Sequence, residues 1–235
     1  NDAADGSAGF VIVRAQGLTE FAGSSVSYAG DINNDGVGDL IVGAPKTRED
    51  HADESTKYFG KTFVVFGKAT PSGDTSSRTE VNLSEIATGN GADGFIINSE
   101  PGSTDYTGQY LSYAGDVNGD GKHDLIIGSR NGKSYVVFGE NTEYSSGVMS
   151  FGNSLNLEDL GNSDGPAGFK INGPDNTKAI VSGAGDIDGD GYHDLVVGAP
   201  KYGSGQDFLD GDAYIIFGQA SFNAEVNLSD LGAPA

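Results

Sequence analysis

The chain alternates short apolar runs with dense polar ones, and the apolar runs return in the same order three times. "GFVIV" from Gly9, "SVSYAGDINNDGVGDLIVGAP" from Ser25 and "TFVVFG" from Thr62 make the first set. "GFIIN" from Gly94, "YLSYAGDVNGDGKHDLIIGS" from Tyr110 and "SYVVFG" from Ser134 make the second. "GFKIN" from Gly168, "IVSGAGDIDGDGYHDLVVGAP" from Ile180 and "AYIIFG" from Ala213 make the third. Each set closes on a related element, "VNLSEI" at Val81, "LNLEDL" at Leu155 and "VNLSDL" at Val226. A pattern that recurs in fixed order with variable spacing marks a repeat architecture with loops of unequal length.

The runs are rich in β-branched and aromatic residues and are bounded by Gly, Asn, Asp and Ser, which predicts strands joined by turns. "LIVG", "LIIG" and "LVVG" are apolar throughout and so are expected to be covered on both faces, whereas "SVSYAG" alternates. Four strands per unit predict an all-β fold of β-propeller blades. The closing elements are too brief for a stable helix and read as one helical turn or an ordered linker. The expected organisation is a single domain, 1–235, of three repeats at about 9–89, 94–161 and 168–235. Its first strand is placed to complete the last blade. Rings usually hold about four to eight blades. Three therefore imply a homodimeric six-bladed ring, additional repeats in a longer propeller, or an open arc.

Composition narrows the classes. With 38 Gly and 7 Pro, turns are frequent; without Cys, there are neither disulfides nor thiolate metal sites. The 34 acidic residues against 13 basic give a net charge of -21, a field that repels nucleic acid and anionic membranes and suits cations. No apolar run reaches the roughly 20 residues of a membrane span, so membrane insertion is not expected.

The charge concentrates in three aligned loops. They read Asp31-Ile-Asn33-Asn-Asp35-Gly36-Val37-Gly-Asp39, Asp116-Val-Asn118-Gly-Asp120-Gly121-Lys122-His-Asp124 and Asp186-Ile-Asp188-Gly-Asp190-Gly191-Tyr192-His-Asp194. Oxygen side chains stand at positions 1, 3, 5 and 9 and glycine at 6. Three or four carboxylates within nine residues repel one another unless a cation neutralises them. Hard oxygen donors point to Ca²⁺, one ion per repeat, with the position-7 carbonyls of Val37, Lys122 and Tyr192 completing the shell. An EF-hand opens alike but needs a bidentate Glu at position 12. Val42, Ile127 and Val197 stand there, inside apolar runs, so the EF-hand is rejected. The third loop, with four carboxylates, is expected to bind tightest.

Other polar residues offer less. His123 and His193 at position 8 are expected to be surface residues pointing away from the ion, and His51 to be solvated. No nucleophile with a spaced base and no phosphate loop is present, so no catalytic residue is assigned. Connections 46–61 and 199–211 are expected to be loops, where Tyr58, Phe59, Tyr202 and Phe208 could form a contact patch. Asn82 and Asn227 fit glycosylation sequons, but their place in the repeated "NLS" element favours a structural role.

"FAGSSVSYAGDINNDGVGDLIVGAP" followed by "TFVVFG" resembles the FG-GAP repeat of integrin α-subunit β-propellers and of large bacterial extracellular proteins. Departures are "GSR" at Gly128 to Arg130 in place of Gly-Ala-Pro, and a loosened Phe-Gly, as Phe21-Ala-Gly23 and Tyr106-Thr-Gly108. The third repeat keeps Gly-Ala-Pro at Gly198 to Pro200 but neither residue of the Phe-Gly pair. The resemblance implies four-stranded antiparallel blades with the calcium loop as the hairpin between the innermost and second strands. First-blade strands then fall near 25–29, 39–43, 62–66 and 94–98. It also implies a non-enzymatic, extracellular or cell-surface module for adhesion or binding of a protein or glycan ligand. Similar repeats in secreted lyases and phospholipases leave an accessory role in an enzyme as an alternative, and a spacer in a large surface protein as another.

Overall fold

The structure is a computed structural model and describes residues 9–14, 21–48, 58–69, 80–101, 105–140, 152–162, 168–202 and 208–231. Strand β1 is Val11–Val13. The first blade comprises β2 (Ser25–Gly30), β3 (Asp39–Arg48) and β4 (Tyr58–Val65). After a short β5 (Glu80–Asn82) and helix α1 (Leu83–Thr88), β6 (Gly94–Asn98) completes it. The second blade holds β7 (Tyr110–Gly115), β8 (Asp124–Gly128) and β9 (Lys133–Val137). Beyond β10 (Ser154–Asn156), β11 (Gly168–Asn172) is its fourth strand. The third has β12 (Ile180–Gly185), β13 (Asp194–Tyr202) and β14 (Phe208–Ile216), followed by β15 (Glu225–Asn227).

Sequential strands within a blade pair antiparallel and in one register throughout: Val26 faces Val42, Leu111 faces Ile127 and Val181 faces Val197. The fold is all-β, in four-stranded propeller blades, as the alternation and turn chemistry imply. The "VNL" elements behave differently. β5, β10 and β15 add in parallel to the outer edges of β1, β6 and β11. The "GF" strands β6 and β11 join the blade of the preceding repeat, so the sequence repeat and the blade are out of phase by one strand.

Three expectations are corrected. First, β3 and β4 extend past 39–43 and 62–66, because pairing resumes beyond Pro45: Thr47 faces Phe59 and Arg48 faces Tyr58. Proline has no N–H to give the ladder, so the register skips there and continues. The same occurs at Pro200, after which Lys201 faces Leu209 and Tyr202 faces Phe208. Tyr58, Phe59, Tyr202 and Phe208 are therefore strand positions; their side chains, like His51, lie outside the described residues. Second, α1 is a six-residue helix, capped by Asn82 Oδ1, which accepts the Ser84 N–H at 2.9 Å, and anchored by buried Leu83 and Ile86. Its counterparts, Leu157–Asp159 and Leu228–Asp230, lack that cap and form 3-10 turns. Third, β1 pairs with β5 and does not complete the third blade, whose described sheet is β12-β13-β14. Among the described residues no helix is long and apolar enough to cross a membrane.

The core lies between blades. Ile41, Val64 and Phe95 of the first blade pack with Leu125, Ile127 and Tyr135 of the second. Ile126, Val136 and Phe169 turn the other way, onto Leu195, Val197 and Ile216 of the third. This is why "LIIG" is apolar at every position: alternate side chains serve alternate neighbours.

The blades are also joined by hydrogen bonds through the two loop histidines. His123 and His193 are partly buried hinges between blades rather than surface residues. His123 Nδ1 accepts the Asp31 N–H at 2.8 Å and His193 Nδ1 the Asp116 N–H at 3.1 Å. The Ile32 and Val117 carbonyls accept the N–H groups of Glu140 and Gln219, each at 3.0 Å. Gly115 sits at a register shift with φ of 84°, and a Cβ there would lie 2.4 Å from the His193 ring. Only glycine allows both that backbone and that approach.

Among the described residues the end faces lack a neighbouring blade. Ile187 and Phe217 are about half exposed, at 53% and 52%, although their equivalents Ile32 and Phe66 are buried. At the other end Val26 is 69% exposed while Val181 is buried. His193→Ala is expected to lower stability by about 1–2 kcal/mol. Hydrogen exchange should show faster exchange at the Asp116 amide, with protection unchanged in the β13–β14 ladder.

Candidate metal centres

Each acidic loop is the hairpin between the first two strands of its blade, and the same side chain anchors it every time. Asp39, Asp124 and Asp194 at position 9 are fully buried. Asp39 Oδ2 accepts the Ile32 N–H at 2.9 Å and Oδ1 the Gly67 N–H at 2.8 Å. Asp124 takes Val117 at 2.8 Å and Gly139 at 3.0 Å; Asp194 takes Ile187 at 2.7 Å and Gly218 at 2.9 Å. Position 9 therefore fastens the loop to the end of the third strand.

The remaining acids organise the loop backbone. Asp31 Oδ1 and Oδ2 accept the N–H groups of Asp35 and Gly36 at 2.9 and 2.8 Å. Asp116 does the same for Asp120 and Gly121, and Asp186 for Asp190 and Gly191. At position 3, Asn33, Asn118 and Asp188 each accept the position-5 N–H through Oδ1. At position 5, Asp35, Asp120 and Asp190 accept the N–H of Val37, Lys122 and Tyr192. Position-6 glycines take left-handed φ values of 89°, 83° and 95°, with open space around them, so conformation alone dictates the residue. Position 4, passed over in the sequence reading, is left-handed too: Asn34, Gly119 and Gly189 have φ of 54°, 72° and 80°. Its signal was present, since Asn and Gly are the residues that tolerate this region.

In the third loop, ligand atoms of Asp186, Asp188 and Asp194 lie within 4.8 Å of one another. Residual desolvation, then the charges of Asp190, Asp194 and Asp186, push the Asp188 carboxyl above its ordinary range. Burial, reinforced by Asp35 and Asp31, pushes Asp39 up to about 7 against the bonds from Gly67 and Ile32. Asp124 is likewise pushed up to about 7 by burial, with Asp120 and Asp116 adding. These donors are all oxygen and mutually repulsive, which fits a hard cation and suits neither zinc nor copper. The second loop is already part neutralised: Lys122 Nζ sits 3.1 Å from Asp120 Oδ2. At position 12, Val42, Ile127 and Val197 are buried in strands, leaving no room for an EF-hand glutamate.

The FG-GAP repeat family matches over residues 22–54, 112–140 and 180–215, each segment spanning one such loop and the strands beside it. Three segments of the chain thus match the FG-GAP repeat. It is similar to integrin alpha-8 of Gallus gallus, 26% identical over 195 residues, covering 80% of this chain and 15% of that protein. Integrin alpha-PS5 of Drosophila melanogaster is 28% identical over 192 residues, covering 80% and 16%. Integrin alpha-5 of Xenopus laevis is 28% identical over 188 residues, covering 77% and 15%. The chain spans about a sixth of the length of these integrin α relatives.

In chelator, Asp39 and Asp124 keep protons when folded that they release when unfolded. Stability should therefore be greatest near pH 4 and fall as pH rises through 7, by on the order of 3 kcal/mol per site. Saturating calcium should remove that slope, read by denaturant melts across pH. In calorimetric titrations Lys122→Gln should tighten calcium at the second loop several-fold, while Asp188→Asn should cost the third loop its lead.

Proposed function

We propose that this FG-GAP chain is a calcium-stabilised, non-enzymatic recognition module of an extracellular or cell-surface protein, working in adhesion as part of an integrin-α-like propeller. In this reading each repeat holds one Ca²⁺ through positions 1, 3, 5 and 9 and the carbonyl of position 7. The observation that carries it is the coincidence of acidic loop and blade joint. Asp31 and Asp116 stand at position 1 and donate their backbone N–H to the histidine of the next blade. An ion bound there neutralises the loop and fixes the joint together.

Calcium at about ten times its dissociation constant would stabilise by about 1.4 kcal/mol per site, or about 4 kcal/mol over three sites. That is a large part of the stability of a domain this size. Extracellular modules bind in the millimolar range found outside cells. The similarity to integrin α chains supports adhesion and a protein or glycan partner. The exposed end faces support completion by a second copy or by further repeats. Among the described residues no catalytic constellation competes with this reading, and a role as an accessory part of a secreted enzyme, or as a spacer, is the alternative.

Chelator-stripped protein should release heat on taking up calcium, and its melting temperature should rise by several degrees. Binding to protein and glycan arrays should be lost with chelator. Absence of a calcium effect on melting would refute the role of the ion, and array binding that ignores chelator would refute its role in recognition. Light scattering in calcium should report more than one chain per particle if a second copy covers the end faces.

A further inference from the structure

At the end of β2 and β7 away from the acidic loops, a pocket of about 430 Å³ opens between the first and second blades. Phe21, Lys46, Tyr106, Gln109, Tyr110 and Arg130 line it, together with Ser24 and Pro45. Among the described residues the lining contains two cations and no carboxylate, in a chain of net charge -21. Aromatic faces hold the cations. Lys46 Nζ lies 4.6 Å from the Phe21 ring centre and 5.8 Å from that of Tyr106, and Arg130 Cζ lies 4.9 Å from Tyr106. Among the described residues, neither Lys46 nor Arg130 forms an ion pair.

The frame of the pocket is rigid. Phe21 and Tyr106 occupy the same place in successive repeats, each in left-handed backbone, with φ of 65° and 55°. Their carbonyls accept the N–H groups of Ser24 and Gln109, both at 3.1 Å, and the Arg130 N–H bonds the Asp105 carbonyl at 2.7 Å. Aromatic residues carry a conformational cost in that backbone region, and Asn176, a residue that adopts it readily, takes the third copy's place with φ of 59°. The two aromatic positions are the two that border the pocket.

We propose that this pocket binds a uronic-acid saccharide, with Lys46 and Arg130 receiving its carboxylate and the exposed Phe21 ring covering a face of the sugar. The proposal rests on the reading of the chain as a recognition module and names its ligand class. A cation already seated on a ring keeps its N–H groups free to donate to an anion, and guanidinium pairs carboxylate in a planar fork. Pockets of this volume suit small ligands. The overall negative charge does not forbid it, because salt screens fields beyond about 8 Å and the lining is locally positive. An acidic peptide would satisfy the cations but leave the open Phe21 face unused. That face favours the saccharide.

The test is calorimetric titration of the full chain, in excess calcium, with tetragalacturonate, maltotetraose and tetraglutamate. The acidic tetrasaccharide should bind and the neutral one should not. Lys46→Gln and Arg130→Gln should each weaken binding about tenfold while leaving melting temperature and calcium uptake unchanged. Raising salt should weaken the wild type more than either variant. Equal binding by the variants, equal binding of maltotetraose, or tighter binding of tetraglutamate would overturn the proposal. A chain that takes up calcium but ignores tetragalacturonate removes the pocket and leaves the calcium module standing. One that binds the saccharide without calcium heat does the reverse. The two readings can therefore fail separately, since a six-residue strand of about 20 Å separates pocket from loop.

Discussion

The structure hangs on a buried carboxylate at the base of each acidic hairpin. Asp39, Asp124 and Asp194 have no exposure, yet each binds two backbone N–H groups that belong to different parts of its blade. One bond closes the loop and the other holds the end of the third strand. A group placed this way is costly to ionise, as the upward shift of Asp39 and Asp124 attests. Without countercharge the blades are asked to keep an anion among apolar neighbours. The acidity of the loop and the apolarity of the strand that follows are two sides of one arrangement.

From that anchor the joint between blades follows. Position 2 of the loop, Ile32 or Val117, is fixed by the buried aspartate through its N–H and gives its carbonyl to the next blade. Position 1 gives its N–H to the next blade's histidine. The hydrophobic clusters then fill the space between sheets, with each inner strand contributing alternate side chains to two of them. Loop order, joint geometry and core packing are thus one coupled system, and a change in any part is felt in the others.

Much of this was legible in the residues. The uninterrupted "LIIG" run gave the doubly covered strand, and Gly36, Gly121 and Gly191 gave the turn, because those demands are local and leave a chemical trace. His123 and His193 stand at the joint between blades, where strand alternation is silent, because it predicts which face of a sheet a side chain takes and says nothing of a neighbouring blade. The length of β3 and β4 was underestimated because Pro45 reads as a stop, whereas a sheet can skip one pair and go on. The pairing of β1 with β5 was missed for a like reason: two three-residue strands carry no pattern of their own. The pocket at Phe21 and Tyr106 needed coordinates, since its walls come from segments some eighty residues apart in sequence and only the folded seam brings them together.

The one-strand offset between repeat and blade makes the units interlock as overlapping tiles do. Adding or deleting one whole sequence copy leaves every interior blade intact, for the copy that departs takes a single outer strand from its forerunner and the next copy supplies an identical one. Growth by duplication can therefore lengthen the arc without inventing a new seam, whereas a cut at a blade boundary would orphan a strand on either side.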